Sequence, residues 1–148
     1  MKISFAFVSS ILEPYITIHA PMKTPEILQL GQAIKDLTAP WQLIGYRGHE
    51  TKLVSAFQIS RLYTEDKRVV AELNSGERYI VHKPIYQLVQ ALPSPTFLQI
   101  SSSELVRSGW IKKFKLTRAG MFQVIFKNDE ISYASRRYTQ RLRKDFLK

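Results

Sequence analysis

The chain of 148 residues contains no cysteine. Disulfide frameworks, thiolate metal sites and cysteine catalysis are therefore excluded, and the absence fits a reducing cytoplasm, where we expect the protein to act. The histidines are few and isolated: His19, His49 and His82 lie far apart, and none has a histidine or carboxylate four residues further on. A helical metal motif needs that spacing. The sequence therefore predicts neither a metal ion nor a cofactor.

Signatures of catalysis are also missing. There is no glycine-rich phosphate loop, and the carboxylates are scattered along the chain rather than paired. The run Ser101–Ser103 could hold a nucleophile, but no glycines flank it as they would in a nucleophile elbow. We therefore expect a protein that is not an enzyme. A catalytic site assembled from residues distant in sequence stays open as an alternative.

Long apolar runs are absent, and no segment reaches the roughly 18 residues that a membrane-spanning helix requires. The first twelve residues faintly resemble a signal peptide, but Ser9 and Ser10 interrupt the apolar run and no small-residue cleavage site follows. The alternation over Ile3–Phe7 is more typical of a strand. These features predict a soluble protein.

Acidic residues are few, with four in each of residues 1–50, 51–100 and 101–148, whereas basic residues increase toward the C-terminal end. The formal net charge of +10 divides into zero over residues 1–50, +2 over residues 51–100 and +8 over residues 101–148. A cationic C-terminal end predicts a surface that binds a polyanion. The alternative is a basic surface that only keeps the protein soluble.

The pattern along the chain changes near Pro40-Trp41, where we place a boundary between two units. Residues 1–40 are predicted to form a small βα unit, with a strand at Tyr15–Ala20 and a helix that starts at Thr24-Pro25. Residues 41–148 show short strands separated by turn signals, with one helix near Ile85–Leu92. That pattern is typical of a β-sandwich or a barrel-like module.

The last stretch, Gly120–Lys148, predicts a β-hairpin followed by a short amphipathic segment. Alternating apolar residues predict a first strand, and a second strand ends at Ala134. The turn between them is predicted at Asn128-Asp129, because Asn and Asp tolerate a positive φ. Arg136 and Arg137 come directly after the hairpin. Paired arginines on a rigid hairpin are suited to contact phosphates or base edges.

Residues from about Leu43 to Lys148 resemble the LytTR-type DNA-binding domain of bacterial transcription regulators. The resemblance rests on the first hairpin Ile59–Val69, the run Phe97–Arg107, the strand Ile111–Phe114 and the closing pattern Tyr133–Tyr138. These segments follow the family's order and spacing over roughly 105 residues.

The resemblance implies a mostly β fold: an elongated stack of small β-sheets with one or two short helices, rather than a helix-turn-helix. It also implies that loops enter successive major grooves of double-stranded promoter DNA. Carried over by position, the contacts would come from the first hairpin loop, the serine run, the loop at Arg107 and the end of the last hairpin. The predicted DNA-contact residues are Lys67, Arg68, Ser101, Ser102, Ser103, Arg107, Arg136 and Arg137.

The sequence departs from the family pattern at two of these positions. Ser102 stands where the family usually has arginine, and Arg107 stands where it usually has asparagine. Because arginine prefers guanine and asparagine prefers adenine, the DNA sequence recognised at Arg107 would differ from the common family site. The alternative is that Arg107 contacts only the DNA backbone. For Arg136 and Arg137 the alternative is a solvated charge pair.

Family members often carry a phosphorylatable receiver, whereas residues 1–40 show no acidic pocket for a phosphoryl group. The chain looks like the small stand-alone subgroup, which is commonly paired with a membrane protein, encoded nearby, that inhibits the regulator. The βα unit would then serve in docking, dimerisation or partner binding. We expect a sequence-specific regulator that binds promoter DNA as a homodimer. The alternative is an adaptor whose basic end binds an acidic protein or an anionic membrane surface.

Overall fold

The computed structural model describes residues 1–11, 14–38, 42–92, 96–145 and 147. Within these ranges the chain forms three α-helices and ten β-strands, so the predicted mostly β fold is confirmed. The helices are α1 (Pro25–Thr38), α2 (Ile85–Ala91) and α3 (Arg136–Asp145). The strands are β1 (Gln42–Arg47), β2 (Glu50–Ser55), β3 (Ile59–Glu65), β4 (Arg68–Leu73), β5 (Arg78–Val81), β6 (Phe97–Ser101), β7 (Glu104–Arg107), β8 (Ile111–Leu116), β9 (Phe122–Phe126) and β10 (Ile131–Ala134).

The strands form two antiparallel sheets. The larger sheet has the order β2-β1-β5-β4-β3-β7-β6, and the smaller has the order β10-β9-β8. Short turns join most neighbouring strands, as the close spacing of turn residues in the sequence predicts. In the larger sheet β3 lies between β4 and β7, and this arrangement brings the β3–β4 hairpin next to the β6–β7 turn.

Two groups of buried side chains hold the fold together. The first lies between the larger sheet and α2, and includes Leu62, Leu88 and Leu105. The second joins the larger sheet to the smaller one and to α3, through Ile100, Val124 and Leu142 among others. Each fully buried side chain of this size contributes about 1.5–3 kcal/mol. The second group therefore fixes the smaller sheet and α3 against β6.

The N-terminal prediction is confirmed for the helix and wrong for the strands. The Thr24 hydroxyl accepts a hydrogen bond from the Ile27 amide at 3.3 Å, so Thr24 caps α1 as its position suggests. Neither Ile3–Phe7 nor Tyr15–Ala20 forms a strand. A strand needs a partner for its backbone N–H and C=O groups, and neither segment pairs with one among the described residues. The predicted boundary at Pro40-Trp41 lies outside the described residues, and the two-unit division stays a prediction.

Candidate nucleic-acid interface

The tip of the β3–β4 hairpin presents two of the predicted contact residues. Glu65 pairs with Arg68 across the two strands, which leaves Asp66 and Lys67 as a two-residue turn. Both turn residues have positive φ, 49° for Asp66 and 64° for Lys67, as a type I′ turn requires. The side chains of Lys67 and Arg68 are exposed. The hairpin thus holds two adjacent cations at the edge of the domain.

The serine run forms the turn between β6 and β7, directly beside that hairpin. The Thr64 amide donates a 2.9 Å hydrogen bond to the Ser103 carbonyl oxygen, which ties the turn to the end of β3. Within the turn, the Ser103 amide donates to Ser101 Oγ at 3.2 Å, and the two hydroxyl oxygens lie 3.3 Å apart. Ser102 is exposed at the tip. Its hydroxyl is therefore accessible to a ligand.

Lys67, Arg68 and Ser102 line one open groove with a volume of ≈ 920 Å³. The segment between β5 and α2 also lines this groove, through His82 and Lys83. Sequence reasoning missed Lys83, because the Lys83-Pro84 pair indicated only the start of a helix. The groove therefore has three lysine or arginine side chains around it and a hydroxyl at one side.

The start of α3 lies on the other side of the serine turn. The Ser135 amide donates a 3.2 Å hydrogen bond to the Ile100 carbonyl oxygen, which places the first turn of α3 beside Ser101. Arg136 and Arg137 are the first two residues of the helix, and both are exposed. Arg136 Nε donates to the Ala119 carbonyl oxygen at 2.9 Å.

The position of these two arginines is electrostatically unfavourable for the isolated helix. The N-terminal end of a helix carries a partial positive charge, which cations oppose, and the first turn of α3 contains no acidic residue. The same end of a helix binds anions, through its free amide groups and its dipole. A bound phosphate would therefore offset a cost that the folded protein otherwise carries.

Arg107 lies away from the other predicted residues, at the far end of β7. Arg107 is the fourth residue after Ser103, a distance of roughly 13 Å along a strand. Its Nε donates to the Ile59 carbonyl oxygen at 2.8 Å, and its Nη2 donates to Asn74 Oδ1 at 2.9 Å. Burial lowers the pKa of the Arg107 guanidinium, which still remains charged at neutral pH. Two of its three nitrogens are thus used within the protein, and contact with DNA at this position stays a prediction.

Backbone hydrogen bonds thus bring the other seven predicted residues to one end of the domain. They lie in the β3–β4 hairpin, the β6–β7 turn and the start of α3, in that order.

Among the described residues, no group of three or more histidine, aspartate or glutamate side chains is placed to hold a metal ion. In the described part of the chain, no helix is long and apolar enough to cross a membrane.

Comparison with known proteins identifies relatives of this chain and a solved structure with a similar fold. The sequence is 28% identical over 143 residues to a protein of Staphylococcus aureus (strain NCTC 8325 / PS 47) named as an uncharacterized HTH-type transcriptional regulator, and the match covers 97% of this chain and 96% of that one. A protein of the same name in strain MRSA252 is 27% identical over the same length. A solved LytTr DNA-binding domain from Bacillus cereus superimposes with a TM-score of 0.66 at 17% identity, over 70% of this chain and 94% of that one.

The helix-turn-helix in the relatives' name has no counterpart in the described residues. That motif joins two helices by a turn of three or four residues, whereas five strands separate α2 from α3, and five separate α1 from α2. The fold instead matches the LytTr domain, as the resemblance implied. Residues 49–146 match the LytTr DNA-binding domain family. The chain belongs to the LytTr DNA-binding domain family.

Proposed function

We propose that the protein is a sequence-specific transcription regulator that recognises promoter DNA through loops in the major groove, without catalysis. One observation carries the proposal: three exposed polar loops follow one another along one end of the domain, joined by the Thr64–Ser103 and Ser135–Ile100 hydrogen bonds. A duplex lying along that end would meet the β3–β4 hairpin, the serine turn and the start of α3 in succession.

The side chains divide by chemistry into those suited to phosphates and those suited to bases. Lys67, Arg68 and the serine hydroxyls can hold phosphate oxygens. Arg137 is exposed and forms no side-chain hydrogen bond within the described residues, and its guanidinium lies 5.8 Å from the centre of the Tyr138 ring. It is therefore free to make a bidentate contact to guanine. Arg136 already donates to Ala119, so its remaining nitrogens suit a phosphate.

Arg107 has a different part in this proposal. Its guanidinium holds Ile59 and Asn74 from the other end of β7, so we assign it a structural role.

We further propose that two copies bind side by side on repeated half-sites, because a single small module buries limited DNA surface. The membrane-protein partner and the role of residues 1–40 stay predictions.

Fluorescence anisotropy with the DNA upstream of the protein's own gene, against scrambled DNA of equal length, tests the proposal. We expect the native site to bind at least tens of times more tightly at a fixed salt concentration. Arg137→Ala should reduce that preference. Arg137→Lys should keep most of the affinity for scrambled DNA but lose the preference, since lysine keeps the charge without the bidentate geometry.

Lys127→Ala is the matched control, because Lys127 lies in the β9–β10 turn, at the opposite end of the smaller sheet from α3. It should leave the preference unchanged. Equal and steeply salt-dependent binding of wild type to both DNAs would overturn the proposal. The basic end would then be a general cationic surface, as in an adaptor for an acidic protein or an anionic membrane.

A further inference from the structure

The β8–β9 turn, Thr117–Gly120, continues the same end of the domain beyond α3. It belongs to a segment, residues 105–128, that carries six lysine or arginine residues and no aspartate or glutamate. We infer that Arg118 in this turn, together with Lys115 on β8, forms a fourth contact surface that binds DNA phosphates outside the three loops. The inference rests on the proposed function and extends it.

The turn is held next to α3 by a direct contact. Arg136 Nε donates its 2.9 Å hydrogen bond to the carbonyl oxygen of Ala119, the residue that follows Arg118. The order of loops along this end is therefore hairpin, serine turn, start of α3 and β8–β9 turn. A duplex that contacts Arg136 and Arg137 would next meet Arg118.

The turn is also ordered before any ligand binds. The Thr117 amide donates to the Met121 carbonyl oxygen at 2.9 Å, and the Gly120 amide donates to the Thr117 carbonyl oxygen at 3.1 Å. The Thr117 hydroxyl donates to the same Met121 oxygen at 2.9 Å. Gly120 has a φ of 78°, which only glycine adopts readily. The backbone that presents Arg118 therefore loses little conformational entropy on binding.

Lys115 lies on the outward face of the smaller sheet, close to this turn. It pairs with Gln123, which in turn pairs with Tyr133, so the three residues form one row across the sheet. Tyr133 lies three residues before Arg136. The row thus leads from Lys115 to the strand that continues into α3.

Lys115 and Arg118 differ from the neighbouring cation in their partners. Lys112 Nζ forms a 2.9 Å ion pair with Asp129. Lys115 and Arg118 are exposed and form no ion pair within the described ranges. Their charges are therefore available to neutralise phosphates and to release counterions.

The test uses the full chain and the anisotropy assay over a salt series. The slope of log K against log salt is negative, and each lost phosphate contact should reduce its magnitude by about 1. At 0.15 M salt that corresponds to roughly fivefold weaker binding. Arg118→Gln should weaken binding to native and scrambled DNA by the same factor, and Lys115→Gln should do the same. The double variant should reduce the magnitude of the slope by about 2. Arg118→Lys should bind like the wild type.

Lys127→Gln is the charge-matched control on the same sheet, and it should change neither the slope nor the affinity. Thermal unfolding of Arg118→Gln should match the wild type, since its side chain has no partner among the described residues. A slope and affinity for Arg118→Gln equal to those of Lys127→Gln would overturn the inference and leave the proposed function intact. A loss of sequence preference in Arg118→Gln would also overturn it, because phosphate contacts do not discriminate between bases. Failure of the proposed function would give a different result: the wild type would bind native and scrambled DNA with equal affinity.

Discussion

The guanidinium of Arg107 donates a 2.8 Å hydrogen bond to the Ile59 carbonyl oxygen, which joins the end of β7 to the beginning of β3. A second bond from the same group reaches Asn74, in the turn between β4 and β5. One side chain thus holds together three segments that enter and leave the centre of the larger sheet. The pattern of contacts is that of a structural residue.

Arg107→Ala should therefore lower stability more than it changes DNA recognition. Hydrogen bonds that involve a charged group contribute about 1.5–3 kcal/mol, so we expect a loss in that range. The measurement is urea unfolding, followed by anisotropy on the variant under conditions where it is folded. A variant of unchanged stability that had lost its sequence preference would show instead that Arg107 contacts bases.

Gly109 provides an internal check on the same prediction. A Cβ atom added at Gly109 would lie 2.8 Å from Arg107 Nη1, so Gly109→Ala should displace the guanidinium from its partners. In the Arg107→Ala background the same change should cost much less, because the displaced group is absent. A double-mutant cycle of unfolding free energies measures this coupling. Additive effects would contradict the proposed contact.

Local sequence signals predict several turns and helix caps correctly. Alternating apolar residues and the pair Asn128-Asp129 predict the β9–β10 hairpin, and the structure confirms it, with Asp129 at a φ of 66°. The start of α1 at Thr24 is equally local, since the cap and the helix are adjacent in the chain. Turns and caps depend on a few neighbouring residues, so a single sequence contains the information that places them.

Contacts between distant segments explain what the sequence could not show. The partners of Arg107 lie 48 and 33 residues away in the chain, so its role in packing has no local signal. The segment Tyr15–Ala20 has strand-forming composition, but a strand also requires a partner at the correct register. The order of the loops along one end likewise depends on the Thr64–Ser103 and Ser135–Ile100 bonds, which join segments far apart in sequence.

Arg61 illustrates such a distant contact at the junction of the two sheets. Its Nη2 lies 3.4 Å from Glu72 and its Nη1 lies 3.4 Å from Glu104, while Glu104 also accepts a 2.7 Å hydrogen bond from Ser132 on the smaller sheet. Burial lowers the pKa of Arg61, but the two carboxylates more than offset this and leave the pKa raised overall. The side chains of Glu72 and Glu104 are only 7% and 12% exposed.

Arg61→Ala should therefore be strongly destabilising, because it leaves Glu104 without a cation among the described residues. Breaking a buried ion pair by removing one partner costs about 3–5 kcal/mol, and we expect a value near the lower end since Glu72 keeps Arg78 at 3.3 Å. Arg47→Ala is the matched control: its pair with Glu50 is exposed, and exposed ion pairs contribute little to stability. Equal losses for the two variants in urea unfolding would refute the role of Arg61.

The β9–β10 turn predicts a specific pH dependence. A hydrogen bond from Lys112, and then the charge of Lys112, lower the pKa of Asp129 below its usual range. A depressed carboxyl pKa adds stability above the unfolded-state pKa of about 3.9, and this contribution is lost as the pH falls through the lower, folded-state value.

Lys112→Met should therefore raise the pKa of Asp129 toward the usual value for aspartate. Titration of the carboxyl carbon by NMR measures it directly. Lys127→Met is the control and should leave the titration unchanged. Lys127 lies two residues from Asp129 but is not among the groups that shift its pKa. An unchanged midpoint in the Lys112 variant would show that the ion pair does not form in solution.

At Lys67, in the turn of the β3–β4 hairpin, we expect the same substitution to raise stability and to weaken DNA binding. Its φ of 64° lies in the left-handed region, which is unfavourable for a residue with a side chain. Lys67→Gly would create an Asp-Gly type I′ turn, which should stabilise the protein by about 1 kcal/mol. The same change removes a cation from the proposed interface, so binding to DNA should weaken by roughly fivefold at 0.15 M salt.

Lys67→Ala separates these two effects. It removes the charge but keeps a Cβ atom at the strained position, so we expect weaker DNA binding without the gain in stability. Urea unfolding and anisotropy on both variants give the comparison. If both variants bound DNA as the wild type does, the left-handed lysine would have no role in DNA binding, and the proposed contact at the hairpin would be wrong. If only the glycine variant bound weakly, the loss would come from turn flexibility and not from charge. We expect the two variants to lose the same affinity for DNA and to differ in stability. That result would show that Lys67 contacts DNA through its charge, although its backbone conformation is unfavourable for lysine.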